Sequence, residues 1–349
     1  MYGIPSERQI EQRCADSNAF RWYLGIDLDE RVPDHSTISQ LRRRKPGFRK
    51  VFRLLFEEVV WQCVEKGLVS GKLMATDSTH VKANASRASE YLEEAREEAG
   101  AYWERLDAYE EEGLAELERR TGKRRKKRVK QIKRDKRRSH KRVSRTDPEA
   151  GHMKRPGKPR GQYYLSLQTT DTDCGITTGV TVTPGDVYDS VPYLKQLEHI
   201  HQNVIPIQAA AADSAYDFPL AHRVLEEHGI AFFVRPQAAH DRTNVELKRE
   251  AFSYDAGQDA YICPAGKQLR LNTLHRSASG LYWLYQADKR DCQSCPLREK
   301  CLSENDRRGV RKLEHSYFAP QRQRHLARRH DADYREALKK RQIWCEGTF

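Results

Sequence analysis

Two apolar runs in this chain end in the same way. Residues 73–86 read LMATDSTHVKANAS and residues 205–219 read IPIQAAAADSAYDFP. Each climbs through small or β-branched residues to one aspartate, Asp77 and Asp213, and then turns polar at once. A short apolar run bounded by turn signals suits a strand buried on both faces. Aspartate stops strands and caps turns, so either residue alone reads as a turn residue. Two of them on two separate strands constrain the fold far more. Between them GQYYLSLQTT (161–170) and ITTGVTVT (176–183) flank DTDCG and predict a hairpin, and 191–202 predicts a helix. Beyond Asp213 a helix over about 218–228 stops at Gly229, and IAFFVRP (230–236) is a further strand. Strand, hairpin, helix, strand, helix, strand is the order of a mixed α/β sheet. In such sheets functional groups gather at strand ends.

The rest of the chain divides around this core. Residues 1–70 read as a helical domain. Pro5 and Ser6 open a helix to about Asp16, and Asp34 or Ser36 caps a short helix through Leu41 that ends in Arg42, Arg43, Arg44 and Lys45. After Pro46 and Gly47, apolar residues from Phe48 to Cys63 recur at helical spacing as far as Gly67. Such a unit suits helix-turn-helix contact with DNA, or its cations simply complement a helix C-terminus. Residues 71–349 form the second domain, whose first strand is Lys72–Thr76, ending at Asp77. This domain carries a charged helical insertion at 86–146 and a Cys-rich insertion at 252–318. A basic helical stretch closes the chain.

Charge is concentrated in the first insertion. The whole chain has a formal net charge of +13. Residues 119–145 hold 17 Lys/Arg and one acid, so the remainder is slightly acidic. The preceding stretch, Ala88–Glu118, holds 12 acids against two arginines. The pair reads as a charged hairpin of two helices, or as a basic arm for phosphates whose acidic neighbour limits stray contacts. Lys123, Arg124, Arg125, Lys126, Lys127 and Arg128 are the densest part of that arm.

No run of about 18 apolar residues suggests a membrane span, and MYGIPSERQIEQRC lacks the apolar core of a signal peptide. A cytoplasmic, nucleoid-associated location is expected, with the eight cysteines as thiols or metal ligands. Cys263, Cys292, Cys295 and Cys301 fall close together, the middle two as a C-x2-C pair. Four thiolates of that kind suit a structural zinc; four reduced cysteines in a small apolar subdomain are the alternative. Cys14, Cys63, Cys174 and Cys345 are scattered and read as core fillers.

Phosphodiester chemistry needs two divalent ions about 4 Å apart, held by a few convergent carboxylates. Two strand-end aspartates plus a helix glutamate meet that need, but periodicity does not choose the glutamate. Here the chain resembles a DDE transposase of bacterial insertion sequences. TDSTHVKANAS resembles the family's first-aspartate motif, AADSAYDFP the second, and KKRQIWCEGTF the glutamate motif. GIPSERQIEQRCADSNAFRWYLGID with PDHSTISQLRRR resembles the helical domain that precedes the catalytic core; VSRTDPEAGHMK and CPAGK add to the likeness. The resemblance covers nearly the whole chain.

It implies a ribonuclease-H-like core, with Asp77, Asp213 and Glu346 binding Mg²⁺ or Mn²⁺. It implies metal-dependent cleavage and strand transfer on double-stranded DNA, the element ends and the target, by a homodimer in synapsis. Arg341 either binds phosphate near the site or lies on the helix surface. His80 and Lys82 reach phosphate or line a strand edge. Tyr216 reads as packing, and Asp147 as a turn residue that the resemblance leaves as a second candidate. The family carries a lysine about two helical turns past the glutamate, whereas this chain ends at Phe349. Both ends therefore read as clipped, and a non-catalytic DNA-binding remnant is the alternative. A zinc-supported RNA-binding protein is a third reading, which the acidic motifs disfavour.

Overall fold

Ser6 opens the first helix as its position suggests: its hydroxyl accepts from Gln9 N (3.3 Å) and caps α1 (Glu7–Asp16). The computed structural model describes residues 4, 6–45, 47–94, 101–122, 140–155, 157, 159–237, 245–277, 280–303 and 309–346. They divide into two units, 1–66 and 67–349. In the first unit α1 is followed by α2 (Asn18–Leu24), capped by Ser17, and by α3 (Ser36–Arg44) and α4 (Phe48–Glu65). Arg21 is buried and donates to the carbonyls of Asp27 and Glu30, fastening the loop after α2. The Glu11 carboxylate accepts from His35 N (3.0 Å) and lies 2.7 Å from His35 Nδ1, joining α1 to the start of α3. Asp34 Oδ1 accepts from Ser36 N (2.8 Å) in that same turn.

The second unit is built on a mixed sheet. Its strands are β1 (Met74–Lys82), β4 (Gly151–Met153), β5 (Gly161–Asp171), β6 (Ile176–Pro184), β7 (Ala209–Ala212) and β8 (Ala231–Val234). A two-stranded ribbon, β2 (Glu90–Glu94) with β3 (His140–Ser144), brackets helix α5 (Ala101–Thr121). Helices α6 (Ser190–Asn203) and α7 (Pro219–Glu227) connect the later strands. The sheet order is β5–β1–β7–β8, with β6 and β4 sharing the outer edge of β5. β6, β5 and β1 form an antiparallel meander, and β7 and β8 run parallel to β1. This is a mixed α/β fold with the strand order of a ribonuclease-H-like core.

Both faces of the sheet are covered, and the side-chain period of two sorts the residues. Leu73, Ala209, Ala211 and Phe233 share one cluster with Tyr334 and Ala337 of α11 (Ala332–Glu346). The opposite face offers Phe232, which meets Tyr193 of α6 and His222 of α7 at ring distances of 6.3 and 5.0 Å. The four alanines of β7 are all buried. Alanine is a poor strand former; here its small side chain lets helices approach on both sides.

Two expectations need correction. The first strand does not stop at Asp77. It continues to Lys82, paired residue by residue with β5, so that Asp77 stands opposite Gln168. Thr79 and Val81 are β-branched residues that suit this extension. The insertion at 86–146 is not wholly helical either: α5 carries the acidic half, but both flanks are strand, paired from Glu90–Ser144 to Glu94–His140. Cross-strand pairing between distant segments offsets the weak strand preference of EYLEE and HKRVS. Lys123 to Arg128 lie outside the described residues.

The Cys-rich segment forms a second, fully antiparallel sheet in the order β13–β12–β11–β10–β9. Its strands are β9 (Ser253–Asp255), β10 (Ala260–Ile262), β11 (Gln268–Ser277), β12 (Gly280–Ala287) and β13 (Lys312–Ser316). Two short helices, α8 (Lys289–Gln293) and α9 (Arg298–Cys301), lie between β12 and β13, and α10 (Ala319–Ala327) precedes α11. The acidic α5 packs on this sheet: Arg276 pairs with Asp107 and Glu110, and Arg120 with Asp259. Its acids therefore have partners of their own within the unit.

Candidate active site

The geometry of the two aspartates follows from strand register. β1 and β7 pair with Met74 beside Ala210 and Ala75 beside Ala211. The same offset carried two residues further sets Asp77 beside Asp213, on strands whose neighbours lie about 4.8 Å apart. By pleat alternation both follow Leu73 and Ala211 onto the face that α11 covers. Here β7 ends and β1 continues with β5 alone, so the two carboxylates sit where the sheet opens. Asp213 accepts from Ala215 N (2.9 Å), capping a single 3₁₀ turn, Ser214–Tyr216. Asp77 Oδ1 accepts from Ser78 N (2.8 Å).

Helix α11 reaches the same rim. Tyr334 anchors its first turn: the hydroxyl accepts from Val234 N (3.0 Å) and donates to Val234 O (2.6 Å), at the end of β8. Ala337 packs on the sheet in the next turn. Arg341, two turns past Tyr334, donates through Nη2 to Asp77 Oδ2 at 2.6 Å, a pair that is largely buried. Farther on, Trp344 lies against Gly175 in the β5–β6 turn, where a Cβ would fall 2.3 Å from the indole. Gly175 has φ +71°, so both its conformation and its neighbour call for glycine. Cys345 is buried behind them. Glu346 is the last residue of α11, which brings its position to the strand ends; its side chain is outside the description.

Two buried phenols back the site. Tyr193 and Tyr216 pack with ring centroids 4.7 Å apart, both fully buried. Burial pushes the Tyr216 phenol up; the nearby Ser78 side chain works against it, and the carboxylates of Asp189, Asp213 and Asp77 push it up further. Burial likewise raises Tyr193, with Asp213 adding to it. The phenols thus stay neutral beside the two aspartates. Asp147 accepts from the Tyr164 hydroxyl, away from the paired aspartates along β5.

Sequence reading passed over Asp217, four residues beyond Asp213. Its side chain is fully buried and accepts from Arg322 through Nε (2.8 Å) and Nη2 (2.5 Å), and from Gln237 N (2.7 Å). His222 Nε2 lies 2.8 Å from its Oδ1, and His222 Nδ1 lies 2.9 Å from His325 Nδ1. A carboxylate only accepts, so His222 carries its hydrogen on Nε2 and, when neutral, accepts from His325 at Nδ1. This knot ties the segment after β7 to α7 and α10. The available signal was a second aspartate followed by a histidine five residues on.

Cys263, Cys292, Cys295 and Cys301 are brought together, lining one pocket beside the antiparallel sheet. Among the described residues only Glu11, Asp34 and His35 place three candidate metal-ligand atoms within 4.8 Å of one another. No helix among those residues is long and apolar enough to cross a membrane.

Three family models match the chain. A transposase domain (DUF772) covers residues 1–44, and two transposase DDE domain models cover 145–282 and 262–349. These segments include Asp213, Arg341, Glu346 and the four clustered cysteines; Asp77 lies between them and is tied to Asp213 through strand register. No curated protein and no solved structure matches the chain significantly. A transposase helical module at the front and DDE domains over the C-terminal stretch place this chain among the DDE transposases of insertion-sequence type, a family that acts on DNA and generally uses divalent metal ions.

Proposed function

We propose that this chain cuts DNA at the ends of an insertion sequence and joins the freed ends to a target, with Asp77, Asp213 and Glu346 holding two Mg²⁺ (or Mn²⁺) ions. The observation that carries this is the β1–β7 register, which sets two carboxylates side by side on the face crossed by α11. An all-oxygen donor set at an open strand end fits hard divalent ions. When bound, such ions make water more acidic and offset charge on the attacked phosphate.

The remaining work falls to the chain itself. Asp77 and Asp213 are held at a fixed separation by the sheet, and the neutral phenols behind them add no competing charge. In the cut, a water oxygen bonds to phosphorus as the P–O3′ bond breaks, and the leaving 3′ oxygen takes a proton. In the joining step that 3′-hydroxyl attacks a target phosphodiester. One ester bond replaces another, so no energy source is consumed. Arg341 neutralises Asp77 when DNA is absent and is close enough to meet a phosphate oxygen instead. Lys123, Arg124, Arg125, Lys126, Lys127 and Arg128 neutralise duplex phosphates, and pairing two element ends calls for two copies of the chain.

Asp77→Ala tests this reading directly. Mg²⁺-dependent nicking of end-containing DNA should fall to background while binding of the same DNA stays within a few-fold of the parent. Equal loss of nicking and binding would count against a metal-holding role. Replacing all six cations of 123–128 by serine should reduce the slope of log K against log salt by up to about five. An unchanged slope removes the arm from the interface.

A further inference from the structure

We infer that Cys263, Cys292, Cys295 and Cys301 form a structural zinc site that fastens the two short helices of the antiparallel sheet. The four cysteines come from three separate pieces of backbone: the turn after β10, the α8 turn and the end of α9. All are free thiols, half-buried, and all line one pocket with Leu269, Ala287 and Leu302. The free volume among them is about 30 Å³. It has room for an ion.

The backbone around the thiols is already shaped for ligation. In C-P-A-G-K, Gly266 N donates to Cys263 O (2.8 Å), Cys263 N donates to Lys267 O (2.8 Å), and Lys267 N donates to Cys263 Sγ (3.3 Å). An amide directed at sulfur favours the thiolate. Arg298 donates to the carbonyls of Cys292 (3.0 Å) and Gly309 (3.1 Å), and Arg311 to those of Cys301 and Leu247 (both 3.1 Å). Lys267, Arg298 and Arg311 line the same pocket. Four thiolates around Zn²⁺ carry two net negative charges, which these cations offset.

The need for a cross-link is also visible. α8 and α9 span five and four residues, far below the length at which a helix holds itself in water. Leu297 and Pro296 aside, the stretch from Asp288 to Leu302 is mostly polar, so apolar burial contributes little there. The thiols line the pocket without having closed on its centre, since no three of these sulfurs lie within 4.8 Å of one another. A tetrahedral set with Zn–S of about 2.3 Å needs sulfurs about 3.8 Å apart. Side-chain rotation toward the pocket closes the set, and the anchored backbone keeps the three pieces in place while it does.

The test is metal analysis of the full-length chain purified without added metal, beside Cys292→Ser/Cys295→Ser and a Cys174→Ser control. One zinc per chain is expected in the parent and the control, and background zinc in the double variant. Replacing zinc with Co²⁺ in the parent should give thiolate charge-transfer bands and the intense visible bands of a tetrahedral centre. These readouts come from the parent protein and survive a failure of the double variant to fold. Absence of zinc, iron in its place, or zinc retained by the double variant would overturn the assignment. DNA cleavage enters none of these measurements, so the result stands apart from the proposed reaction.

Discussion

The two larger sheets of the second unit are each tied together by one aspartate, and the surroundings of the two differ. In the mixed sheet Asp217 is fully buried and receives Arg322, His222 and a backbone N–H. In the antiparallel sheet Asp259 is one-third exposed and accepts from Arg120 Nε (2.9 Å) and, at both carboxylate oxygens, from Arg120 Nη2 (2.6 Å each), together with the hydroxyls of Tyr254 (2.8 Å) and Tyr285 (2.6 Å). Around the first sheet alanines and branched aliphatics pack with the buried rings of Tyr193, Tyr216, Phe232, Phe233 and Tyr334 under covering helices. The second buries Leu269, Leu271, Leu274, Leu281 and Leu313 beside Tyr261, Tyr285 and Trp283, and the Arg120 guanidinium of α5 lies 4.8 Å from the Trp283 ring. The Asp217 carboxylate is dry, whereas the Asp259 carboxylate is open to water. Asp77 and Asp213 differ from both hubs in standing at a strand opening.

The comparison makes its largest claim at Asp217. Asp217→Asn should cost about 3 kcal/mol or more, because it leaves Arg322 and His222 facing a neutral partner in a dry site. Urea unfolding of the variant measures it, and a loss below about 1 kcal/mol would show the knot to be wet. Next comes Ala337→Leu, which forces extra volume between α11 and β7 and should cost about 1–3 kcal/mol. Because α11 also carries Arg341 and Glu346, nicking should fall with it; full activity at reduced stability would separate the helix from the site. Asp259→Ala should cost about 1–2 kcal/mol, since the groups it strands are partly hydrated. If it matches Asp217→Asn, the contrast between the sheets fails.

Acid sharpens the same contrast. Burial pushes the His325 imidazole down to about 4, and His222 adds to the shift; Glu226 opposes it, while Arg324 and Arg328 reinforce it. The folded chain thus refuses a proton that the unfolded chain accepts from about pH 6.5 downward. Stability should fall as pH drops from about 6.5 toward 4. Burial opposes ionisation of Asp217, but the His222 and Arg322 bonds and the Gln237 N–H outweigh it and hold its carboxyl well below the usual range. That contribution persists until pH passes below the ordinary carboxylate value, about 3.9. Thermal unfolding from pH 7 to 4 should show His325→Phe to be less acid-sensitive than the parent. The smallest effect is expected at Lys300, paired with Glu246 across an exposed 3.1 Å gap. Lys300→Ala should change stability by less than about 1 kcal/mol.

Periodicity was enough to place the hairpin at 161–183, α6, α7 and β8, because each has a local start and stop: Gly175 in a left-handed turn, Pro219 at a helix start, Gly229 at a helix end. The extension of β1 past Asp77 was not legible. Its warrant is pairing with β5 some ninety residues away, and a polar stretch such as DSTHVK gives no local sign of it. The β2–β3 ribbon was hidden for the same reason, its two charged strands being joined across the whole insertion. Asp77 and Asp213 stood out because each ends an apolar run. Asp217 did not, because its donors come from α7, α10 and the loop after β8, and no spacing in one segment announces three partners.

The bond between Tyr334 and Val234 has a consequence for how the chain tolerates change. The two residues are 100 positions apart in sequence yet share two hydrogen bonds. The antiparallel sheet between them is an excursion from the mixed sheet that ends at α10, which Arg322 and His325 tie to Asp217 and His222. Topologically it is a closed detour, and lengthening a closed detour costs only about 0.6 kcal/mol per doubling. Insertions and deletions in the antiparallel sheet, short of α10, leave the start of α11 where it is. Beyond Tyr334 the opposite holds. Position 346 is reached by counting along a rigid screw of about 1.5 Å and 100° per residue. A single residue added between Tyr334 and Glu346 would turn position 346, the proposed third carboxylate, by about 100°, so length is free on one side of the clasp and fixed on the other.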